Sequence, residues 1–355
     1  MNDASRCLAS DGVVELWTPR ADDAARLVAG RDALFHRWLG AGSDAPAPTA
    51  CIRAGEPGDD GTRPVIGWID FDASPAWLRE GEANIGYNVF AHARGRGYAT
   101  RALQLLMHHL SAGGEAVAEA AAAGDVRTGV LLIDPANRDS QAVASRAHFG
   151  RDGVVRLRDD DAEGQWRFVR RGPPLEYLHE GVRIRMQDEG DLAMDLAAKD
   201  GAQQRWLWSA SDIAAWTAMT EVQRQQHARA GLRRNVEAFR TGPKWAFSID
   251  CDDARCVGYI DADLANPRVP AGEANIAYAV HPAWRGRGVA ARAVRAVLAF
   301  LREHTAARQA HLVVEDGNTA SMNVAREVAG TLAGKVERFT DEQRRSWTRW
   351  VLPID

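Results

Sequence analysis

The strongest constraint on this chain is that it contains the same stretch twice. Residues 67–102, GWIDFDASPAWLREGEANIGYNVFAHARGRGYATRA, lie without a gap over residues 258–293, GYIDADLANPRVPAGEANIAYAVHPAWRGRGVAARA, at a constant offset of 191, and 18 of the 36 positions are identical. Shorter matches flank the block: GVVELW at Gly12 opposite GVRIRM at Gly181, RWL at Arg37 opposite RWL at Arg205, and Asn137/Ser140 opposite Asn318/Ser321. A period of this size is far beyond the roughly 20–50 residues of a solenoid unit, so a complete fold has been duplicated and fused. The 355-residue length agrees, since it suits two domains of ordinary size. Two prolines and a glycine interrupt the pattern in RRGPPLEYLHEG, residues 170–181, after the strand-like WRFVRR. This gives one domain at 1–170, a linker at 171–179 and a second domain at 180–355. Such a product is a pseudo-dimer within one chain, which suits a monomer.

Composition narrows the class. With 46% hydrophobic and 26% charged residues the chain reads as globular, and no apolar run approaches the roughly 20 residues of a membrane span. The opening MNDASRCLASDG has neither a basic nor an apolar signal region, so the cytoplasm is the expected compartment. A net charge of −4 argues against a nucleic-acid partner. Cys7, Cys51, Cys251 and Cys256 form no CxxC pair and have no nearby histidine, so no metal site is expected.

Both copies predict the same order of elements. A short strand (13–17; 182–186) leads into an amphipathic helix (19–38; 188–208) and then two strands ending at Asp70 or Asp261. Another strand (83–90; 274–281), a glycine-rich loop and a long helix (98–110; 289–304) follow. A buried strand (129–133; 311–314), a helix from Asn137 or Asn318 and a terminal strand pair complete each copy. Strands in runs with flanking helices indicate an α+β fold, each domain a mixed, mostly antiparallel sheet flanked by helices. The copies differ in their insertions, Ala/Gly-rich at 111–127 in the first and helical at 212–239 in the second.

The loops carry the chemistry. Arg94-Gly95-Arg96-Gly97-Tyr98-Ala99 and Arg285-Gly286-Arg287-Gly288-Val289-Ala290 each join a strand to a helix start. Unpaired N–H groups and the positive end of the helix dipole hold phosphate there, and alternate glycines let several amides turn toward one anion. No Gly-Lys-Ser/Thr ending marks a nucleotide P-loop, and Thr100 stands where a dinucleotide fingerprint has its third glycine. The pattern R-x-x-G-x-A after IGYNV or IAYAV, with the later Asn-x-x-Ser, instead resembles the pyrophosphate loop of the GNAT superfamily of acyl-CoA-dependent N-acyltransferases. Both halves carry it, and they are most similar to the branch of ribosomal-protein N-terminal acetyltransferases. The two-copy layout also resembles tandem members such as mycothiol synthase.

That resemblance implies acetyl-CoA or another acyl-CoA as donor, with no metal, bound in a V-shaped gap beside the strands ending at Val89 and Val280. It assigns binding of the donor to Val89, Arg94, Gly95, Arg96, Gly97, Tyr98, Ala99, Asn137 and Ser140 in the first copy. In the second copy it assigns Val280, Arg285, Gly286, Arg287, Gly288, Val289, Ala290, Asn318 and Ser321. The acceptor would be an amine of a small molecule or peptide. Two alternatives stand beside this reading: a donor carried by an acyl carrier protein, or a CoA-binding sensor without turnover.

An amine attacks a thioester only when neutral, and a lysine-like amine of pKa about 10.4 must give up its proton to a base. Many family members carry glutamate just before I-G-Y, where this chain has Asn84 and Asn275. Glu82 and Glu273 lie two residues earlier on the same strand face, about 7 Å away, and Asp70, Asp72, Asp261 and Asp263 end the preceding strand. Tyr87 and Tyr278 are candidate acids for the leaving thiolate, as are Ser140 and Ser321. Trp38 and Trp206 suggest an acceptor with apolar or aromatic character. The family-like HFGR ending and Tyr98 favour the first half for turnover, with Glu82, Asp72, Asn84 and Ser140 as its catalytic candidates.

Overall fold

A computed structural model describes residues 5–111, 126–157, 164–172, 176–332, 334–342 and 344–354. The chain divides into two compact units, one of residues 1–174 with 304–306 and one of residues 175–303 with 307–355. Most of the Ala/Gly-rich insertion at 111–127 lies outside the described residues.

The first unit runs β1 (Cys7–Ser10), β2 (Val14–Trp17), α1 (Asp23–Ala29), α2 (Ala33–Leu39), β3 (Ala50–Ala54), β4 (Val65–Asp72), β5 (Glu82–Val89), α3 (Tyr98–Ser111), β6 (Thr128–Ile133), α4 (Arg138–Arg146), β7 (Gly150–Val155) and β8 (Gln165–Arg171). Its eight-stranded sheet has the order β1-β2-β3-β4-β5-β6-β8-β7. The second unit begins with β9 (Glu176–His179), β10 (Val182–Met186), α5 (Leu192–Ala198), α6 (Gly201–Leu207), α7 (Ala210–Ala218) and α8 (Glu221–Thr241). It continues with β11 (Lys244–Cys251), β12 (Ala254–Asp263), β13 (Ala274–Val280), α9 (Val289–His304), β14 (Gln309–Glu315), α10 (Thr319–Leu332), β15 (Lys335–Thr340) and β16 (Ser346–Pro353). Its sheet repeats the first strand for strand, as β9-β10-β11-β12-β13-β14-β16-β15.

All neighbouring pairs are antiparallel except β5–β6 and β13–β14. Each parallel pair needs a crossover helix, α3 or α9, which buries one face on the sheet. Ala102, Leu103, Leu106, Met107 and Leu110 of α3 are sealed in one cluster with Ile52, Ile69, Ile85 and Leu131 of the strands. Each large side chain so buried stabilises the unit by roughly 1.5–3 kcal/mol.

The two parallel pairs are short. β5 meets β6 only at Glu82↔Thr128, Ala83↔Gly129 and Asn84↔Val130, and β13 meets β14 only at Ala274↔Ala310 and Asn275↔His311. Beyond Asn84 and Asn275 the strands part, so the edge of β5 or β13 facing that gap has no strand to satisfy it. A V-shaped opening of the kind the resemblance implied is thus formed in each unit.

Two expectations change. The linker placed at 171–179 is largely strand: β8 runs to Arg171, and Glu176–His179 pairs with β10 through a turn at Glu180 (φ 49°) and Gly181 (φ 73°). The first unit has the same hairpin, β1–β2, around Gly12 (φ 80°), so it belongs to the repeated fold. The prolines at 173–174 masked the alternation that follows them. Each single amphipathic helix also proves to be two. Asp32 caps α2 by accepting from the Phe35 N–H, and Asp200 caps α6 by accepting from the Gln203 N–H; such a cap starts a new helix rather than continuing one.

Candidate active site

Each glycine-rich loop has the conformation its sequence demanded. Gly95, Gly97, Gly286 and Gly288 all sit at φ between 71° and 79°, where an L side chain is strained, and a Cβ on any of them would touch nothing within 4 Å. The constraint is therefore backbone shape and open space in front of it. Among the described residues, no backbone hydrogen bond takes the N–H groups of residues 95–100; the first helical bond there is Arg101 N–H to the Gly97 carbonyl. Arg292 N–H to the Gly288 carbonyl starts α9 in the same way. Both loops are thus open nests of donors at the positive end of a long helix. They fit a diphosphate.

The two arginines of each loop differ in role. Arg94 grips both carboxylate oxygens of Asp32, at 2.6 and 3.0 Å, and donates through Nε to the Val89 carbonyl at 2.8 Å. Arg285 repeats this with Asp200, at 2.7 and 2.9 Å, and with the Val280 carbonyl at 3.0 Å. These hydrogen bonds hold the Asp32 carboxyl down at about 2 and lower that of Asp200. The first arginine of each loop is accordingly a clamp between the strand end, the loop and the cap of a short helix. Arg96 and Arg287 are exposed and form no ion pair among the described residues, Arg287 resting over the Trp284 ring. Those two remain for an anion. Tyr98 and Ala99 pack against the core and Val289 is buried, so these positions face inward and offer a ligand only their backbone N–H groups.

Asp200→Asn keeps a capping side chain while removing its charge. Because the clamp is partly exposed, we expect only a twofold to fivefold loss of acetyl-CoA affinity, read by calorimetry. A gain in affinity would mean instead that Asp200 withholds Arg285 from phosphate.

Asn137 and Asn318 are helix caps. Their Oδ1 atoms accept from the Ser140 and Ser321 N–H groups at 3.1 and 3.2 Å, which fixes the start of α4 and α10. The Ser140 and Ser321 side chains lie beside Tyr87 and Tyr278, whose buried hydroxyls make no well-formed hydrogen bond. Burial pushes both phenols up to about 12. The fold pairs these four residues, distant in the chain, identically in the two units.

The carboxylates separate the halves. Glu82 is buried, held at 2.5 Å by Arg167 through Oε1 and by the Arg79 N–H through Oε2, so neither oxygen is free to take a proton from an acceptor. Asp72 is exposed and caps the turn at Ser74. Asn84 ends the paired part of β5. Asp70 accepts the Thr49 N–H and hydroxyl on one oxygen, at 2.9 and 2.5 Å. In the second unit Glu273 meets His311 at 2.5 Å and Asp263 caps Ala265. Asp261 differs from all of these. It is buried, and burial raises its carboxyl against the opposing pull of Lys244. The Lys244 ammonium at 3.0 Å and the Tyr259 hydroxyl both reach Oδ2, leaving Oδ1 uncommitted.

Asp261 also lines a cavity of about 490 Å³. Tyr259, Ala277 and Tyr278 of the sheet bound it on one side; α5, α6, α7 and α8 supply the rest of the wall, with Trp208 and Trp216 prominent. The insertion expected at 212–239 therefore covers the cleft of its own unit. Trp38 and Trp206, the aromatics singled out in the sequence, are not among the lining residues.

The family model for the acetyltransferase (GNAT) domain matches residues 8–150 and again 184–330. The chain belongs to the GNAT acetyltransferases, as a tandem of two domains. A search of curated proteins returns no match. Among solved structures it is similar to an acetyltransferase of the GNAT family from Bacillus anthracis, with 13% identity, TM-score 0.39, and 50% of this chain and 98% of that one covered. It is similar also to Mycobacterium smegmatis RimJ in complex with a CoA disulfide, with 18% identity, TM-score 0.39 and coverages of 50% and 85%. A Salmonella typhimurium acetyltransferase that modifies the N-terminal serine of ribosomal protein L7/L12 gives 17% identity, TM-score 0.39 and coverages of 50% and 96%.

The cavity of the second GNAT domain was not legible in the sequence. Lys244, Gln203, Trp208 and Trp216 lie outside the 36-residue repeated block, so the comparison of copies never drew attention to them. The described residues contain no group of side chains suited to a metal ion, and none of their helices is long and apolar enough to cross a membrane.

Proposed function

We propose that this protein is an acyl-CoA-dependent N-acyltransferase in which the second GNAT domain performs turnover. The observation that carries this reading is Asp261: a buried carboxylate of raised pKa, with a free oxygen, lining a cavity next to the strand that borders the gap. The loop amides at Gly286–Ala290, with Arg287, would hold the donor's diphosphate, and its thioester supplies the activated acyl group. Asp261 would take the proton as the amine nitrogen bonds to the acyl carbon and the carbon–sulfur bond breaks. Tyr278, beside Ser321 and on the cavity wall, can return a proton to the departing thiolate.

The first domain, favoured in the sequence for turnover, keeps an equally well-formed loop, while Glu82 is engaged through both oxygens and Asp70, held by Thr49 through one oxygen only, is half-buried rather than buried like Asp261. We read it as a half that binds CoA without turnover. Calorimetry should show acetyl-CoA binding at up to two sites per chain, and thiol release over a panel of amines should report one active domain. Failure to bind any CoA ester would overturn the assignment. Tight binding with no thiol release from any amine would favour a sensor.

A further inference from the structure

We propose that the cavity of the second domain accepts a small primary amine carrying an aromatic or other bulky apolar body, and not the N-terminus of a polypeptide. This rests on the reading that the domain acylates an amine. The cavity volume of about 490 Å³ lies in the range of small-molecule sites. Part of its wall is apolar and aromatic: Trp208 and Trp216 meet edge to face at 5.3 Å, and Leu207, Met219 and Leu232 lie on the same lining. Flat rings and aliphatic surfaces of this kind gain from an apolar ligand in proportion to the area covered. A peptide would instead lay successive backbone amides along Trp208, Trp216, Met219 and Leu232, which leave those amides unsatisfied.

The charges in the cavity are largely settled before any ligand arrives. Asp195 pairs with Lys199, and the Asp212 carboxylate accepts the Ser209 N–H and hydroxyl in the capping box of α7. Arg234 and His227 also line the cavity, and beside them stand two acceptors without a committed donor, on Gln203 and Asp261. Gln203 Oε1 is a buried oxygen with no hydrogen-bond partner, and it lines the cavity together with Asp261. An amide oxygen can only accept, so the group that satisfies it must bring an N–H or O–H. A primary amine brings more than one N–H, enough to serve Gln203 and still present one to Asp261. Trp216 and Leu232 of this wall come from α7 and α8, the helices that the second copy has and the first lacks, and Gln203, Leu207 and Trp208 come from α6 and its end.

The test is direct binding to the full chain saturated with CoA, followed by calorimetry with 2-phenylethylamine, ethylamine and a serine-led tripeptide amide. We expect 2-phenylethylamine to bind at least about tenfold more tightly than either of the others. Trp216→Ala should remove most of that preference. Gln203→Leu, close in volume, should weaken the amine about fivefold; acetyl-CoA binding and circular dichroism check that both variants fold. Tripeptide binding equal to or tighter than that of the arylalkylamine overturns the inference, as does an absence of arylalkylamine binding at millimolar concentration. Thiol release is scored separately: amine binding without release supports the inference and defeats the catalytic reading.

Discussion

Asp261→Asn should lower the maximal rate of amine acylation by about 100- to 10,000-fold, the range a general base supplies. Asparagine keeps the shape and can still accept from Tyr259, but it cannot take a proton from an amine. The pH profile gives the sharper signature. Burial raises the Asp261 carboxyl above its ordinary value, so the basic form is lost as pH falls through that raised pKa, and the acid limb of kcat/KM should lie above the usual carboxylate range near 4. Lys244 acts in the opposite sense, favouring the ionised form across 3.0 Å. Lys244→Met should therefore move the acid limb to still higher pH, while Asp261→Asn should abolish it. Unchanged acetyl-CoA affinity in Asp261→Asn would show that the donor site is intact. A rate within threefold of the parent enzyme would remove Asp261 from the chemistry.

Asp261 also shows where the sequence ceased to be legible. It is identical in the repeat to Asp70, and by pattern alone the two have the same standing. Their chemistry diverges because Thr49 and Lys244 lie outside the repeated block and, inside it, Tyr259 stands opposite Trp68. Asp70 meets Thr49, which satisfies one oxygen twice, whereas Asp261 meets Lys244 and Tyr259 and is sealed beneath the inserted helices. A carboxylate's environment is a tertiary property, assembled from segments far apart in the chain, and no local pattern encodes it. Glu82 makes the same point from the other side. Its strand face is correct, but Arg167, 85 residues later, occupies it.

The loops were legible because their demands are local. Alternating glycines mean alternating left-handed residues, a following apolar helix means a dipole, and both follow from adjacent positions. The clamp was half visible. Arg94 and Arg285 were evident as basic residues beside a phosphate loop, yet their partners Asp32 and Asp200 were absorbed into a helix read as continuous. Gly30 followed by Asp32 is a stop and start signal that could have divided it. The hairpin β9–β10 was hidden in the same way, its alternation overruled by the prolines before it.

Gly288→Asp and Gly97→Asp, compared in parallel, decide which domain works, and the expected effects are large and unequal. At φ 71° and 79° any L side chain costs on the order of 1 kcal/mol. A carboxylate placed within about 4 Å of a diphosphate adds repulsion of a few kcal/mol at the effective dielectric of a protein surface. Together these correspond to a loss of acetyl-CoA affinity at the altered site of about a hundredfold or more. Because a Cβ meets nothing within 4 Å at either glycine, the fold has no steric reason to suffer, and Gly288→Ala should show only the small backbone part of the loss. Each aspartate variant should lose one of two calorimetric sites. Turnover should collapse in Gly288→Asp and persist within a few-fold in Gly97→Asp, since Asp261 and its cavity belong to the second domain. A loss of about half in each variant would mean two working sites, and collapse in both a second site that depends on the first. Collapse in Gly97→Asp alone would return the chemistry to the first domain, and Asp261 would then be a buried carboxylate with no part in it.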